Sequence, residues 1–400
     1  MQRQAEGRFV AVISGVHGLV HTIELTYAAL LIRIGLEFSA DKLALGAVAT
    51  AAAFTLGFGA LPAGVLVDRL GPRRTLNLAF GLSMAAALLV AFSPNLATLA
   101  LTLAILGLAS GLYHPAGLSA IATVARHPPS AIAWHGVGGN LGIAAAPIIA
   151  TLVAQAAGWR WAYALLAFLC LVAAVLLRTL LPSQEAMAVR GTVTPQNDPA
   201  RRAQWVPLAI VYALSIVGGF VYRGSLTFLP AHIEEQVTFG GPAVASMLTT
   251  AALLTGALGQ VTGGTLARRF RLEPLAACLM LPLAPSLLAM GLSSELTLVA
   301  VSGLFVFFNF STQPLFTALV AAYSPAGAVG RSYGAMFFAS FGVGSLAGAF
   351  AGAIADRWDT GAVYVALSAL ALTTFLLSVA LALYVARGRS GEREAAAVAG

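Results

Sequence analysis

Apolar residues run on for about 20 positions at a time, stop at a short polar turn, and begin again from one end of the chain to the other. Each run is long enough to cross a hydrocarbon core of about 30 Å as a helix. The runs predict helices over 9–35, 43–67, 75–93, 97–125, 131–156, 161–181, 205–231, 243–266, 274–292, 295–322, 332–355 and 360–386. One long polar interruption, 182–204, is rich in Arg, Pro, Asn and Gln. The pattern predicts an all-α membrane protein of twelve transmembrane helices. It has a six-helix half over 1–181, a linker over 182–204, a second six-helix half over 205–386 and a tail over 387–400.

Composition agrees. The 400 residues are 59% hydrophobic and 9% charged, against roughly 25% charged in soluble domains. A net charge of +7 would suit nucleic acid only if the basic residues gathered on a solvated domain. No soluble stretch here is long enough for one, so the lipid bilayer is the expected partner and nucleic acid is not. Cys170 and Cys278 both fall in apolar runs, which predicts neither a disulfide framework nor a zinc site. The first run is too long, and too polar mid-span, for a cleavable signal. Basic residues gather on alternate turns: Arg69, Arg73, Arg74, Arg178, Arg268, Arg269, Arg271, Arg331 and Arg387 on one side, with only Arg33, Lys42, Arg160 and Arg357 on the other. By the positive-inside rule this predicts a multi-pass protein of a bacterial-type inner membrane with both termini cytoplasmic.

The chain also matches itself at an offset of about 200 residues. GVLVDRLGPRR (Gly64–Arg74) parallels GTLARRFR (Gly264–Arg271), and His114-Pro115 parallels Gln313-Pro314. Gly136, Gly138 and Gly142 parallel Gly342, Gly344 and Gly348. Two repeats related by an axis along the membrane normal are an architecture of secondary transporters. Gly64, Asp68, Arg69, Gly71, Arg73 and Arg74 form a G-x-x-x-D-R-x-G-x-R-R pattern that resembles the loop signature of the major facilitator superfamily. YHPAG (Tyr113–Gly117), HGVGGNLG (His135–Gly142) and GWRWAY (Gly158–Tyr163) look like its fosmidomycin-resistance-type exporters. That resemblance implies a central cavity between the halves, alternating access, and a conformational latch at the loop signature that holds the outward-open state. In that group an acid usually follows the first histidine by four residues. Here His21 stands there, with Glu24 one turn on.

His17, His21 and Glu24 follow an i, i+4, i+7 pattern, one stripe of the first helix. Glu24 is the only one of the fifteen acids that this reading buries deep in a span. A charge at the bilayer centre costs about 2.5–3.5 kcal/mol, and such residues are functional by default. The repeat offset carries Glu24 onto Arg223, the only base deep in a span, so the two are expected to face one another across the cavity. Either Glu24 carries protons, or the two form a fixed ion pair and proton exchange passes to His17 or His21, whose imidazoles suit it. His114 and His135 are expected to hydrogen-bond between the fourth and fifth helices. A metal site built from His17, His21, Glu24, His114 and His135 is the rival arrangement. Asn140, Asn309, Gln313 and Tyr222 complete the candidate cargo and proton-coupling residues.

No phosphate-binding Gly-Lys loop and no nucleophile set is present, so neither an ATP-driven pump nor an enzyme is expected, and no cofactor. The expected activity is proton-coupled efflux of a small, potentially anionic organic molecule by a monomer. Uptake symport, divalent-metal transport through the histidines, and a transport-inactive receptor on the same fold are the alternatives.

Overall fold

The structure is a computed structural model that describes residues 2–125, 128–181, 204–325 and 329–399. Twelve helices in it are long and apolar enough to span a membrane. They are α1 (Glu6–Ala29), α2 (Lys42–Leu70), α3 (Pro72–Ala91), α4 (Leu96–Val124), α5 (Ala131–Ala157), α6 (Trp159–Leu180), α7 (Trp205–Gln236), α8 (Gly241–Leu266), α9 (Leu272–Leu292), α10 (Glu295–Tyr323), α11 (Arg331–Arg357) and α12 (Thr360–Gly388). No strand occurs among the described residues. The predicted linker lies, but for Gln204, outside the described residues, as do the side chains of the tail from residue 389.

The turns are chemically explicit. Gly71 adopts φ +78° and Pro72 opens α3 directly after it; Gly158 adopts φ +95° ahead of α6. L side chains rarely adopt such φ values, so each glycine permits a one-residue reversal between antiparallel helices.

Several helices depart from the predicted spans. The first ends at Ala29; Leu30 turns the chain and a short helix continues over Leu31–Phe38. The seventh runs on to Gln236, five residues past its apolar run, and so carries Glu234 and Glu235 on ordered helix. Hydropathy stops where charge begins, whereas helical hydrogen bonding does not. The fourth breaks at Leu112, just ahead of Tyr113-His114-Pro115, and the eleventh contains a π turn over Phe338–Gly342 followed by a 3₁₀ turn over Val343–Leu346. Such turns re-aim side chains and are frequent at functional sites.

Within residues 6–180 the close pairs are α1 with α5, α2 with α4 and α3 with α6. In the second half α7 meets α11, α8 meets α10 and α9 meets α12. The sequence repeat is therefore also a repeat of packing. Between the halves, α2 crosses α11, α5 crosses α8, and α1 touches α7. Small residues let these backbones close up: a Cβ at Gly46 would meet the Gly348 backbone, and one at Gly57 the Gly342 backbone.

Two faces result. The chain's first helix starts on one, called here the termini face, and the loops after α1, α3, α5, α7, α9 and α11 lie on the other. Across this far face the halves are tied by charge. Arg33 pairs with Glu234 at 3.4 Å and Lys42 with Glu235 at 2.8 Å. Asp356 at the end of α11 accepts from the first backbone N–H groups of α2, Lys42 at 2.7 Å and Leu43 at 2.5 Å. That is an anion at a helix N-terminus, where orphan donors and the helix dipole both favour it. Deeper in, the Thr50 hydroxyl donates to the Ser345 carbonyl and accepts from the Ala349 N–H.

Candidate functional site

Glu24 and Arg223 meet. Oε1 of Glu24 pairs with an Arg223 terminal nitrogen across the two halves, and both side chains are buried. The other carboxylate oxygen, Oε2, accepts from His21 Nδ1 at 2.7 Å. His21 Nε2 lies 3.1 Å from His17 Nε2, and His17 Nδ1 donates to the His135 carbonyl oxygen at 2.7 Å. A carbonyl only accepts, so His17 carries its hydrogen on Nδ1 and offers a lone pair at Nε2. His21 then faces an acceptor at each ring nitrogen. Five groups in a row, from Arg223 of α7 to the His135 carbonyl of α5, are thus joined by four polar contacts whose polarity is fixed at one end.

Tyr113 and His135 brace this row. The Tyr113 hydroxyl donates to the Ile13 carbonyl at 2.9 Å, leaving its oxygen to accept from His135 Nε2 at 3.0 Å. The His17 and His135 rings stack, with centroids 3.7 Å apart. The link expected between α4 and α5 therefore exists, but it runs through Tyr113. His114 does not make it: its Nε2 is buried without a partner, and its ring stacks on Phe337 and Phe341 of α11.

Arg223 is only partly spent. Its Nε and second terminal nitrogen are buried and have no hydrogen-bond partner, while its guanidinium lies 4.8 Å from the Phe341 ring centroid. Phe341 reaches it because it belongs to the π turn of α11. Glu24, Arg223, Tyr222, Tyr27, Thr227 and Ser110 are the polar lining of a cavity otherwise walled by aliphatic residues. The cavity has a volume of about 60 Å³.

The cavity is central, as the resemblance implies, but it is not shared evenly by the two halves. Its lining comes from α1, α2, α4, α5 and α7, and α10 contributes no residue. Asn309 is buried within α10 and Gln313 half-buried; neither lines the cavity. Periodicity alone does not say which face of α10 turns to the axis. Asn140 is drawn away as well, its amide donating to Gln260 of α8 across the two halves. Gln260, Tyr113, Phe341 and the far-face acids Glu234, Glu235 and Asp356 are contributions that sequence reasoning missed. Only the acids carried a signal, as charges at the ends of apolar runs.

The loop signature sits on the termini face. Asp68, Arg69 and Arg74 are exposed, and none makes a hydrogen bond or ion pair among the described residues. Arg73 donates to the Arg178 carbonyl at 2.5 Å, bracing the start of α3 on the end of α6. A Cβ at Gly64 would meet nothing within 4 Å.

Twelve membrane-length helices in two packing repeats enclose a charged cavity, the architecture of a membrane transporter. The sequence agrees, since residues 11–240 match the family model of the Major Facilitator Superfamily, and the chain belongs to that superfamily. It is a membrane transporter and not an enzyme. It is 23% identical over 272 residues to a probable sugar efflux transporter of Helicobacter acinonychis (strain Sheeba), covering 68% of each chain. In fold it is similar to a bacterial homologue of the human lysosomal transporter Spinster, crystallised in an inward-facing and occupied conformation. The TM-score is 0.74 at 14% identity over 95% of this chain and 96% of that one.

Proposed function

We propose that the protein exports a small, oxygen-rich organic molecule by alternating access, coupled to protons that enter through Glu24 and the histidines beside it. The observation that carries the reading is Arg223. It stands at the cavity wall with two buried donor groups unspent and its remaining charge shared with a protonatable acid. A hydroxylated or anionic cargo supplies the acceptors those donors lack, and an unsatisfied buried donor costs about 1–3 kcal/mol. Glu24 is the complementary acceptor. As a carboxylate it holds Arg223 in place with the unspent donors toward the cavity and takes hydrogen bonds from cargo hydroxyls. A proton on Glu24 removes that acceptor and loosens Arg223, so proton and cargo compete and travel in opposite directions. The relative named for sugar efflux supports both an oxygen-rich cargo and the outward direction. The motifs at Tyr113–Gly117, His135–Gly142 and Gly158–Tyr163, which look like those of fosmidomycin-resistance-type exporters, support the same direction.

Termini in the cytoplasm, as the arginine distribution predicts, make the sealed far face the outer one. In this conformation Asp356 caps α2 there while Asp68 is free. The two acids then act as opposed latches, Asp356 for the inward-facing state and Asp68 for the outward-facing one. Each shifts the balance by up to about 2 kcal/mol, the range for a charge at a helix end. Asp356→Asn is expected to raise thiol labelling of a cysteine placed at Ala49 from the outside several-fold, and Asp68→Asn to lower it. Movement of both in the same direction would break the pairing.

The direct test uses inverted membrane vesicles and proteoliposomes given a proton gradient and a panel of labelled sugars, sugar acids and small carboxylates. Accumulation driven by the gradient is expected for one class and is lost in Glu24→Gln, while downhill exchange persists. Accumulation that ignores a protonophore would rule out proton coupling.

A further inference from the structure

We propose that His17, His21 and His114 form a binding site for a divalent transition metal of the zinc, cobalt and nickel class, set on the central path beside the cargo cavity. Three features converge on it. First, one ring nitrogen from each of the three lies within 4.8 Å of the other two, and all three residues are buried. Second, His17 and His21 are oriented as metal ligands are. Each commits Nδ1 to an acceptor, the His135 carbonyl at 2.7 Å and the Glu24 carboxylate at 2.7 Å, and so turns Nε2 inward. A carbonyl or carboxylate on the far nitrogen is the usual outer partner of a ligating histidine, fixing its tautomer and raising its basicity. Third, the Nε2 of His114 is buried with nothing to bind, although such groups are almost always satisfied.

The spacing suits a tetrahedral ion. Ligand nitrogens about 2.05 Å from zinc stand about 3.3 Å from one another, and the two Nε2 atoms of His17 and His21 already stand 3.1 Å apart. No pair of the three ligand atoms is more than 4.8 Å apart, so binding needs a closure of at most about 1.5 Å to reach that edge. The ion takes the place of the hydrogen shared by His17 and His21, and three imidazoles leave a fourth position open. Imidazole donors select zinc, copper, cobalt or nickel over magnesium or calcium. Glu24, held through His21, supplies the negative charge that three neutral ligands lack. Because His17 and His21 are on α1 and His114 on α4, an ion here clamps two helices that line the cavity. This site does not rest on the cargo or direction proposed above.

The test is a titration of the full chain, freed of any histidine tag and purified in detergent, with cobalt(II) and then zinc(II). One equivalent of cobalt is expected to give the intense visible bands of a four-coordinate site, displaced by zinc. His114→Asn and His17→Gln are each expected to weaken zinc by at least tenfold, and Glu24→Gln by about 10–100-fold, the range for an outer partner. X-ray absorption on the zinc-loaded wild-type protein needs no variant to fold and is expected to count three imidazoles near 2.0 Å. No saturable uptake, binding unchanged in the folded histidine variants, or a zinc shell without imidazole would each overturn the site.

Discussion

Replacing Glu24 or Arg223 singly by glutamine is expected to cost about 3–5 kcal/mol, the usual penalty for stranding one member of a buried ion pair. Replacing both is expected to cost clearly less than the sum. The pair is fully formed between α1 and α7, and each side chain is less than a tenth exposed. The single variants are not equivalent in kind. Glutamine at position 24 keeps one acceptor oxygen and no charge, so Arg223 is left an uncompensated cation against the Phe341 and Tyr222 rings, and either it or His21 loses its oxygen partner. With Arg223 gone, Glu24 retains its hydrogen bond to His21 and can be neutralised by taking up a proton. Glu24→Gln is therefore expected to be the more damaging to stability. The measurement is a double-mutant cycle of thermal unfolding in detergent. Strict additivity would mean that the two charges do not meet in the folded protein. Transport should not return in the double variant, because restored stability does not restore a group that exchanges protons or one that holds cargo.

The second large effect is expected from a residue with no chemistry at all. Gly142→Val should destabilise the protein by at least the roughly 1–3 kcal/mol typical of overpacking, and it should abolish transport. A Cβ at Gly142 would run into the backbone of Gly18, and one at Gly138 into that of Ser14. Here α1 and α5 lie backbone to backbone, and the Thr22 hydroxyl bridges the Gly18 and Gly142 carbonyls at 2.9 and 3.1 Å. Backbone has nowhere to go, so the helices must part. The His17 link to His135 parts with them. Gly81→Val, where a Cβ meets nothing within 4 Å, is the control for helix propensity. Equal melting temperatures for the two variants would show that the close approach carries no weight.

These two predictions draw on different levels of the molecule. The Glu24–Arg223 contact was legible in the chain, because an internal repeat turns one residue number into another. Each residue is also too expensive in lipid to face outward. The same economy explains why twelve spans could be marked from hydropathy. Lipid forces backbone groups to be satisfied within each crossing segment, so length and apolarity nearly determine the element. It also explains the errors. Hydropathy placed the end of the seventh helix before Glu234 and Glu235, although helical hydrogen bonding carries on into the polar face.

What the sequence by itself determined, then, is the set of elements, their pairing by repeat, and the acid and base deep in the spans that had to find each other. Local composition dictates these terms. The tertiary structure decided which way each element turns. It put Asn309 and Gln313 off the cavity wall, sent Asn140 to Gln260, made Tyr113 rather than His114 the partner of His135, and left the His114 Nε2 unspent beside two imidazoles. It also set Asp356 on the first turn of α2, more than 300 residues away in the chain. A helix crossing lipid can be rotated about its axis at little cost in hydropathy when apolar residues surround it on every side. Its rotation is fixed by glycine contacts, π turns and single hydrogen bonds to neighbours, and these exist only once the neighbours are in place.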